Sequence, residues 1–305
     1  MKSDSSVPLD SRTNDKFSEG VTVHCVYGGM HRRHIETCLL PSLGKATCLP
    51  IRLFTINYDP SSSERIKSGV RCGIYVNDIK NEASEKTGFA RNHNILFKAA
   101  APAQSFVIIN PDCIPHQHCI DILIRRKCLT KERVGIVEGR QWPYEHPKEY
   151  DPLSLHTPWA SGAFALIDAL FYKSIGGMDE IYFLYLEDVD ISWQAWLNGY
   201  SVLYEPAATI THFSSGRFYR SDIVSSEQYL SLRNFLILNK KFFGIPGEKN
   251  AVQILKRYPD QELASCALQE YERYLKATVS ISYEGRTHDN VKVLGLGRFH
   301  NMRPV

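Results

Sequence analysis

The sequence predicts an α/β fold: a mostly parallel, Rossmann-like sheet flanked by helices, followed by a helical C-terminal extension. Three observations carry this reading. Short β-branched apolar runs alternate with helix-length segments through the first two thirds of the chain. Three of those runs stop at polar loops, Tyr27-Gly28, Asn57-Tyr58-Asp59 and Asn110-Pro111-Asp112, and open parallel sheets bind ligands at such strand ends. From residue 226 onward, Tyr229, Leu232, Phe235, Leu236 and Phe243 fall close to helical spacing.

Taken in order, residues 1–19 are rich in Ser, Asp and Lys and read as a flexible leader. Val21–Tyr27 (VTVHCVY) reads as a buried strand closed by Gly28-Gly29. Residues 34–43 suit a helix, and Ile51–Asn57 suits a second strand ending at Asp59-Pro60-Ser61. Residues 70–76 read as a third strand, 85–101 as a long helix and 106–109 as a fourth strand. Residues 140–157 carry many Pro, His and charged residues and read as an irregular loop. Residues 187–198 read as a helix with Gly199 beyond its end. Two short strands are expected at 202–204 and 209–212, helix again over 257–277, and a last strand near 279–283. The domain expectation is therefore a leader over 1–19, a ligand-binding α/β domain over 20–225 and a mainly helical extension over 226–305.

Bulk properties narrow the function classes. The 305 residues are 43 % hydrophobic and 23 % charged, ordinary for a globular protein with a sizeable core. A net charge of +3 is too small to point to nucleic acid. No run approaches the roughly 18 apolar residues of a membrane span, and the N-terminal residues have no apolar signal core. The eight cysteines are spread through core segments, which points to reduced thiols and a cytoplasmic setting.

Four motifs occur in order: GFARNHN (88–94), INPD (109–112), the run GGMDEIYFLYLEDVD (176–190) with Gly199-Tyr200 beyond it, and a closing His212. In these residues the chain resembles the inverting family 2 glycosyltransferases of the GT-A fold, in the bacterial rhamnosyltransferase and galactofuranosyltransferase branch. The resemblance spans about residues 21–244. It implies transfer of a sugar from a nucleotide-diphosphate sugar to an acceptor hydroxyl, in glycan or polysaccharide assembly.

Each motif has a chemical reading beside a bland one. Asn110-Pro111-Asp112 is ordinary turn chemistry, but a leaving diphosphate needs a hard cation with oxygen ligands. The resemblance gives that metal, Mn²⁺ or Mg²⁺, to Asp112, with His212 completing the site. Glu187, Asp188 and Asp190 at a helix start suit the helix dipole. An inverting transfer also needs a general base at the acceptor hydroxyl, and the family places it at Asp188, with Glu187 and Asp190 orienting the acceptor. Tyr27, Asn57 and Asp59 are expected to read the base. Arg91, at the N-terminal end of the 85–101 helix, and Asn110 are expected on the donor side. Trp159 and Gly162 are expected on the sugar and acceptor side, Trp159 either as a sugar platform or as core. The Cys113, His116, His118, Cys119 run has zinc-ligand types without zinc-site spacing.

The implied partners are a nucleotide-sugar donor, with UDP- or dTDP-sugars favoured, and a glycan or lipid-linked glycan acceptor; no nucleic acid is expected. The basic residues Lys240, Lys241, Lys249, Lys256 and Arg257 leave room for peripheral association with the inner face of a membrane, and the helical extension for a homodimer. The competing class is a non-catalytic nucleotide-sugar-binding partner. It draws on Asn110 and Gln194, which stand where the family has an Asp and near where it has an Arg.

Overall fold

The structure is a computed structural model that describes residues 20–146, 149–213, 225–293 and 303–304. The leader expected over 1–19 lies outside the described residues.

The chain opens with β1 (Val21–Tyr27), a helical stretch over 29–43 (α1) and β2 (Ile51–Asn57). β3 (Gly69–Arg71) and β4 (Ile74–Ile79) follow, then α2 (Phe89–Ala100), β5 (Ser105–Ile109), β6 (Cys113–Pro115), α3 (Cys119–Leu129) and β7 (Val134–Trp142). Next come β8 (Tyr144–Glu145), β9 (Phe164–Asp168), α4 (Ala169–Ser174), α5 (Glu187–Leu197) and β10 (Ser201–His212). Two helices follow: α6 (Ser225–Leu255), kinked where Gly244 takes a left-handed φ of 61°, and α7 (Gln261–Glu270).

Nine strands form one sheet in the order β3-β4-β2-β1-β5-β9-β7-β10-β6. The block β4-β2-β1-β5 is parallel, as is the β7–β10 pair. β9 runs antiparallel between the two, and β3 and β6 close the edges antiparallel. The parallel blocks are buried on both faces, which is why VTVHCVY and IRLFTIN read as near-continuous apolar runs. On one face, Val23, Leu53, Val107 and Leu166 pack with Ile35, Leu39 and Leu43 of α1 and Leu123 of α3. On the other, Phe106, Ile108 and Ile167 share a core with Trp193 of α5 and Phe235 and Phe242 of α6. The C-terminal helices thus pack into the same core as the sheet.

Several expectations change. The strand expected at 70–76 splits at Cys72-Gly73, both at positive φ, into the β3–β4 hairpin. The loop expected over 140–157 begins inside β7, because Gln141 is buried and bonded to His212, so its polarity does not mark solvent. The two strands expected at 202–204 and 209–212 are one strand, with a register shift between Glu205 and Thr209 that accommodates Pro206. No strand forms at 279–283; the Ser282 and Tyr283 amides donate instead to the Lys241 carbonyl. The basic stretch expected to face a membrane divides: Lys240 and Lys241 are buried, while Lys249, Lys256 and Arg257 are exposed.

Candidate active site

The carboxyl ends of β1, β2, β5, β7 and β10 open on a cleft of about 490 Å³, within the range of small-molecule sites. Asp112 and His212 meet there. They are 100 positions apart in sequence, yet the β6–β10 register sets His212 opposite Cys113, and the Phe213 amide donates to the Asp112 carbonyl at 3.1 Å. Their side chains approach to 3.3 Å, Asp112 Oδ1 to His212 Nε2, and both residues are about nine-tenths buried while still lining the cleft. One carboxylate oxygen and one imidazole nitrogen this close make a partial shell that fits Mn²⁺ and, less selectively, Mg²⁺. Cys113 lies in the same cluster, but burial and then the charge of Asp112 push its thiol well up, so the thiol stays protonated.

Glu187 and Asp188 line the same cleft from the first turn of α5. Both Asp188 oxygens are aimed: Oδ2 accepts from the Gly162 amide at 3.1 Å and Oδ1 from the Val189 amide at 2.9 Å. Gly162 therefore orients Asp188 through its backbone. Burial, and next the neighbouring Asp188, push the Glu187 carboxyl well above the usual range. Its Oε2 has no hydrogen-bond partner among the described residues.

The segment leading into α5 is strained. Tyr185 and Leu186 both take left-handed φ, 73° and 68°, which costs a non-glycine residue about 1–2 kcal/mol. Asn234 of α6 holds this segment, its amide donating to the Leu184 carbonyl at 2.8 Å and the Tyr185 carbonyl at 2.6 Å. Gly88, ahead of α2, abuts the same segment: an added Cβ would sit 2.4 Å from the Phe183 carbonyl oxygen. The Phe89 amide donates to that oxygen at 2.8 Å. The GFARNHN and GGMDE motifs also meet, through Asn94. Its Nδ2 donates to the Met178 carbonyl, and its Oδ1 accepts from the Met178 amide and the Tyr172 hydroxyl.

The remaining expected site residues divide. Tyr27 and Asn110 line the cleft. The Tyr27 hydroxyl is committed below it, donating to Asp78 and accepting from the Ile66 amide. Asn57 and Asp59 do not line the cleft. The Asn57 side chain donates to the Glu64 carbonyl and accepts from the Asp59 amide, which shapes the loop that presents Tyr58. Arg91 is exposed and off the cleft, although Gly88 and Phe89 just before it line the cleft. Trp159 is core: it is 1 % exposed and packs with the sheet, so it offers no open face to a sugar. Asp190 is also structural. It is fully enclosed, paired with Lys241 at 2.7 Å and hydrogen-bonded to the Tyr182 hydroxyl at 3.0 Å. Burial raises its carboxyl in spite of Lys241. Lys241 itself is raised, since Asp190 and Asp179 outweigh the burial that alone would lower it.

The motif reading missed Tyr58, Lys86, Gln141 and His146, all of which line the cleft. Tyr58 sits in the Asn57-Tyr58-Asp59 strand-end loop, where the reading chose its neighbours; Lys86 and His146 sit in no recognisable pattern, and Gln141 lies in the stretch that reads as loop. The Cys113–Cys119 run forms no joint site: Cys113 and Cys119 are core, His116 bonds Thr211 and His118 pairs with Asp121.

With this mostly parallel, helix-flanked sheet and its strand-end cleft, the chain has the GT-A glycosyltransferase fold. Within it the chain resembles family 2 members of the rhamnosyltransferase branch. Over 98 residues it is 34 % identical to the N-acetylglucosaminyl-diphospho-decaprenol L-rhamnosyltransferase of Mycobacterium tuberculosis, covering 29 % of this chain and 32 % of the relative. The chain thus matches about a third of the length of the curated relatives it resembles. Among solved structures it is similar to the mannosyltransferase PcManGT from Pyrobaculum calidifontis in complex with GDP-Man and Mn²⁺. The TM-score is 0.50 at 13 % identity, over 83 % of this chain and 75 % of that one. It is similar also to GalNAc-T7 with UDP, GalNAc and Mn²⁺, with a TM-score of 0.52 at 11 % identity, over 87 % and 58 % of the two chains. No family model matches the chain. No helix among the described residues is long and apolar enough to cross a membrane.

Proposed function

We propose that this protein is a divalent-metal-dependent, inverting glycosyltransferase acting in glycan or polysaccharide assembly. The observation that carries the reading is the convergence of Asp112, His212 and the backbone-oriented Asp188 on one strand-end cleft. The donor is a nucleotide-diphosphate sugar, with UDP- and dTDP-sugars favoured. The acceptor class is a lipid-linked glycan, as the name of the M. tuberculosis relative suggests. Work on such an acceptor fits the inner face of a membrane in the cytoplasm.

Asp112 and His212 would hold the Mn²⁺ or Mg²⁺, which when bound supplies positive charge to the departing diphosphate. The Asp188 carboxylate, held by the Gly162 amide, takes the proton of the acceptor hydroxyl as that oxygen bonds to the anomeric carbon. The anomeric carbon–phosphate oxygen bond breaks in the same displacement, and its electron pair leaves on the diphosphate. Attack on the face opposite the leaving group inverts the anomeric centre. Glu187, whose carboxyl is raised by burial and next by Asp188, lines the cleft beside the base and orients the acceptor. Gly88 and Phe89, at the start of α2, line the donor side of the cleft.

The test is a screen of UDP-, dTDP- and GDP-sugars with wild type and Asp188→Asn, with and without Mn²⁺. Metal-dependent binding by both proteins, with turnover in wild type alone, is the expected result. Full turnover by Asp188→Asn would remove the base assignment, and no nucleotide-sugar binding would remove the function.

A further inference from the structure

We propose that Gln141 is a positioning residue for the metal pair: its carboxamide oxygen fixes the His212 ring so that Nε2 faces Asp112. The inference rests on the metal reading of the cleft given above.

β7 lies parallel to β10, with Gln141 opposite Ile210 and Trp142 opposite Thr211, and this sets the Gln141 side chain beside the last residue of β10. Gln141 Oε1 lies 2.7 Å from His212 Nδ1. A carboxamide oxygen only accepts, so Nδ1 carries the proton and donates it. The ring is left with Nε2 toward Asp112, 3.3 Å from Oδ1. An imidazole that binds a cation through one nitrogen needs its other nitrogen committed as a donor, which sets both tautomer and ring angle.

The glutamine is itself held. It is 0 % exposed, and its backbone amide donates to Glu145 Oε1 at 3.3 Å. Glu145 Oε2 in turn accepts from the Tyr204 hydroxyl at 2.7 Å. The Gln141 side-chain nitrogen, Nε2, has no partner among the described residues. A buried glutamine with half its hydrogen-bonding capacity unspent is a poor choice for packing alone, since a methionine would fill the same space without a desolvation cost. The contact its oxygen makes to His212 is what this position requires.

The experiment titrates Mn²⁺ into the full chain and reads free Mn²⁺ by electron paramagnetic resonance. It compares wild type, Gln141→Met (same length, no comparable acceptor) and Gln141→Glu (acceptor retained). The expected result is a 10–100-fold weaker Mn²⁺ affinity for Gln141→Met, with Gln141→Glu within about threefold of wild type. In imidazole ¹⁵N spectra, the Nδ1-bound proton of His212, assigned by its loss in His212→Ala, is expected in wild type and Gln141→Glu. It is expected to be missing in Gln141→Met. Wild-type affinity in Gln141→Met, or an equal loss in Gln141→Glu, overturns the inference and leaves the metal reading standing. Failure of wild type to bind Mn²⁺ overturns both. Should Gln141→Met not fold, Gln141→Ala carries the same comparison.

Discussion

His24 of β1 and His93 of α2 form a buried histidine pair that makes the fold sensitive to acid. Both are fully enclosed, with ring centroids 6.0 Å apart in a stacked arrangement and Phe89, Phe54 and Phe106 around them. None of the four ring nitrogens has a hydrogen-bond partner among the described residues. Burial pushes His93 down to about 3, and burial together with His93 and Arg52 pushes His24 well below its ordinary value. In the unfolded chain each imidazole titrates near 6.5. The unfolded state therefore binds protons that the folded state refuses, and stability falls as pH drops below 6.5 toward 3. For His93 alone, linkage between a folded value of about 3 and the unfolded one gives a loss of about 2 kcal/mol between pH 7.5 and pH 5. Replacing His93 by Phe removes that contribution. Urea unfolding of wild type and His93→Phe at both pH values measures it. The packing cost of the larger ring is common to both pH values and cancels in the comparison. The drop from pH 7.5 to pH 5 should be about 2 kcal/mol smaller in the variant. Equal drops would refute the reasoning by showing that His93 takes up its proton inside the folded protein.

Three further outcomes are expected. Lys241→Met leaves Asp190 and Asp179 without their buried cation and should destabilise by roughly 3–5 kcal/mol in urea unfolding, with Asp190→Asn in the same chain restoring part of it. Asn234→Ala frees the Leu184 and Tyr185 carbonyls that hold a left-handed pair, and should cost about 1–3 kcal/mol and lower kcat for sugar transfer; unchanged kcat would separate that strained segment from the chemistry. Gly88→Ala forces the start of α2 away from the Phe183 carbonyl and should cost about 1–3 kcal/mol with a raised donor KM, measured by thermal unfolding and initial rates.

The sheet was legible where burial on both faces left an unbroken apolar run, as in β1, β2 and β5, and where polar turns closed the run. It was not legible at β7 and β10. β7 buries Glu138 and Gln141 within its ladder, and β10 continues through Pro206 by a register shift, so polarity and proline imitated loop and strand end. In the site, the resemblance located Asp112, Asp188 and His212, all of which line the cleft. It did not separate Glu187 and Asp188, which face the cleft, from Asp190, which is paired with Lys241. That distinction depends on Lys241 of α6, 51 positions downstream of Asp190. Gln141 had no signal, because a single glutamine acquires meaning only through the strand register that sets it beside His212.

The antiparallel closure of β6 on β10 also bears on how the protein matures. Asp112 is laid down early, at the end of the fifth strand, while its partner arrives only with the last residue of the tenth. A chain that has collapsed around β1, β2 and β5 would own a carboxylate but no cation pair. On the proposed metal reading, divalent-cation binding would report completion of the tertiary structure: in refolding, it should lag behind the appearance of secondary structure and coincide with docking of the final strand.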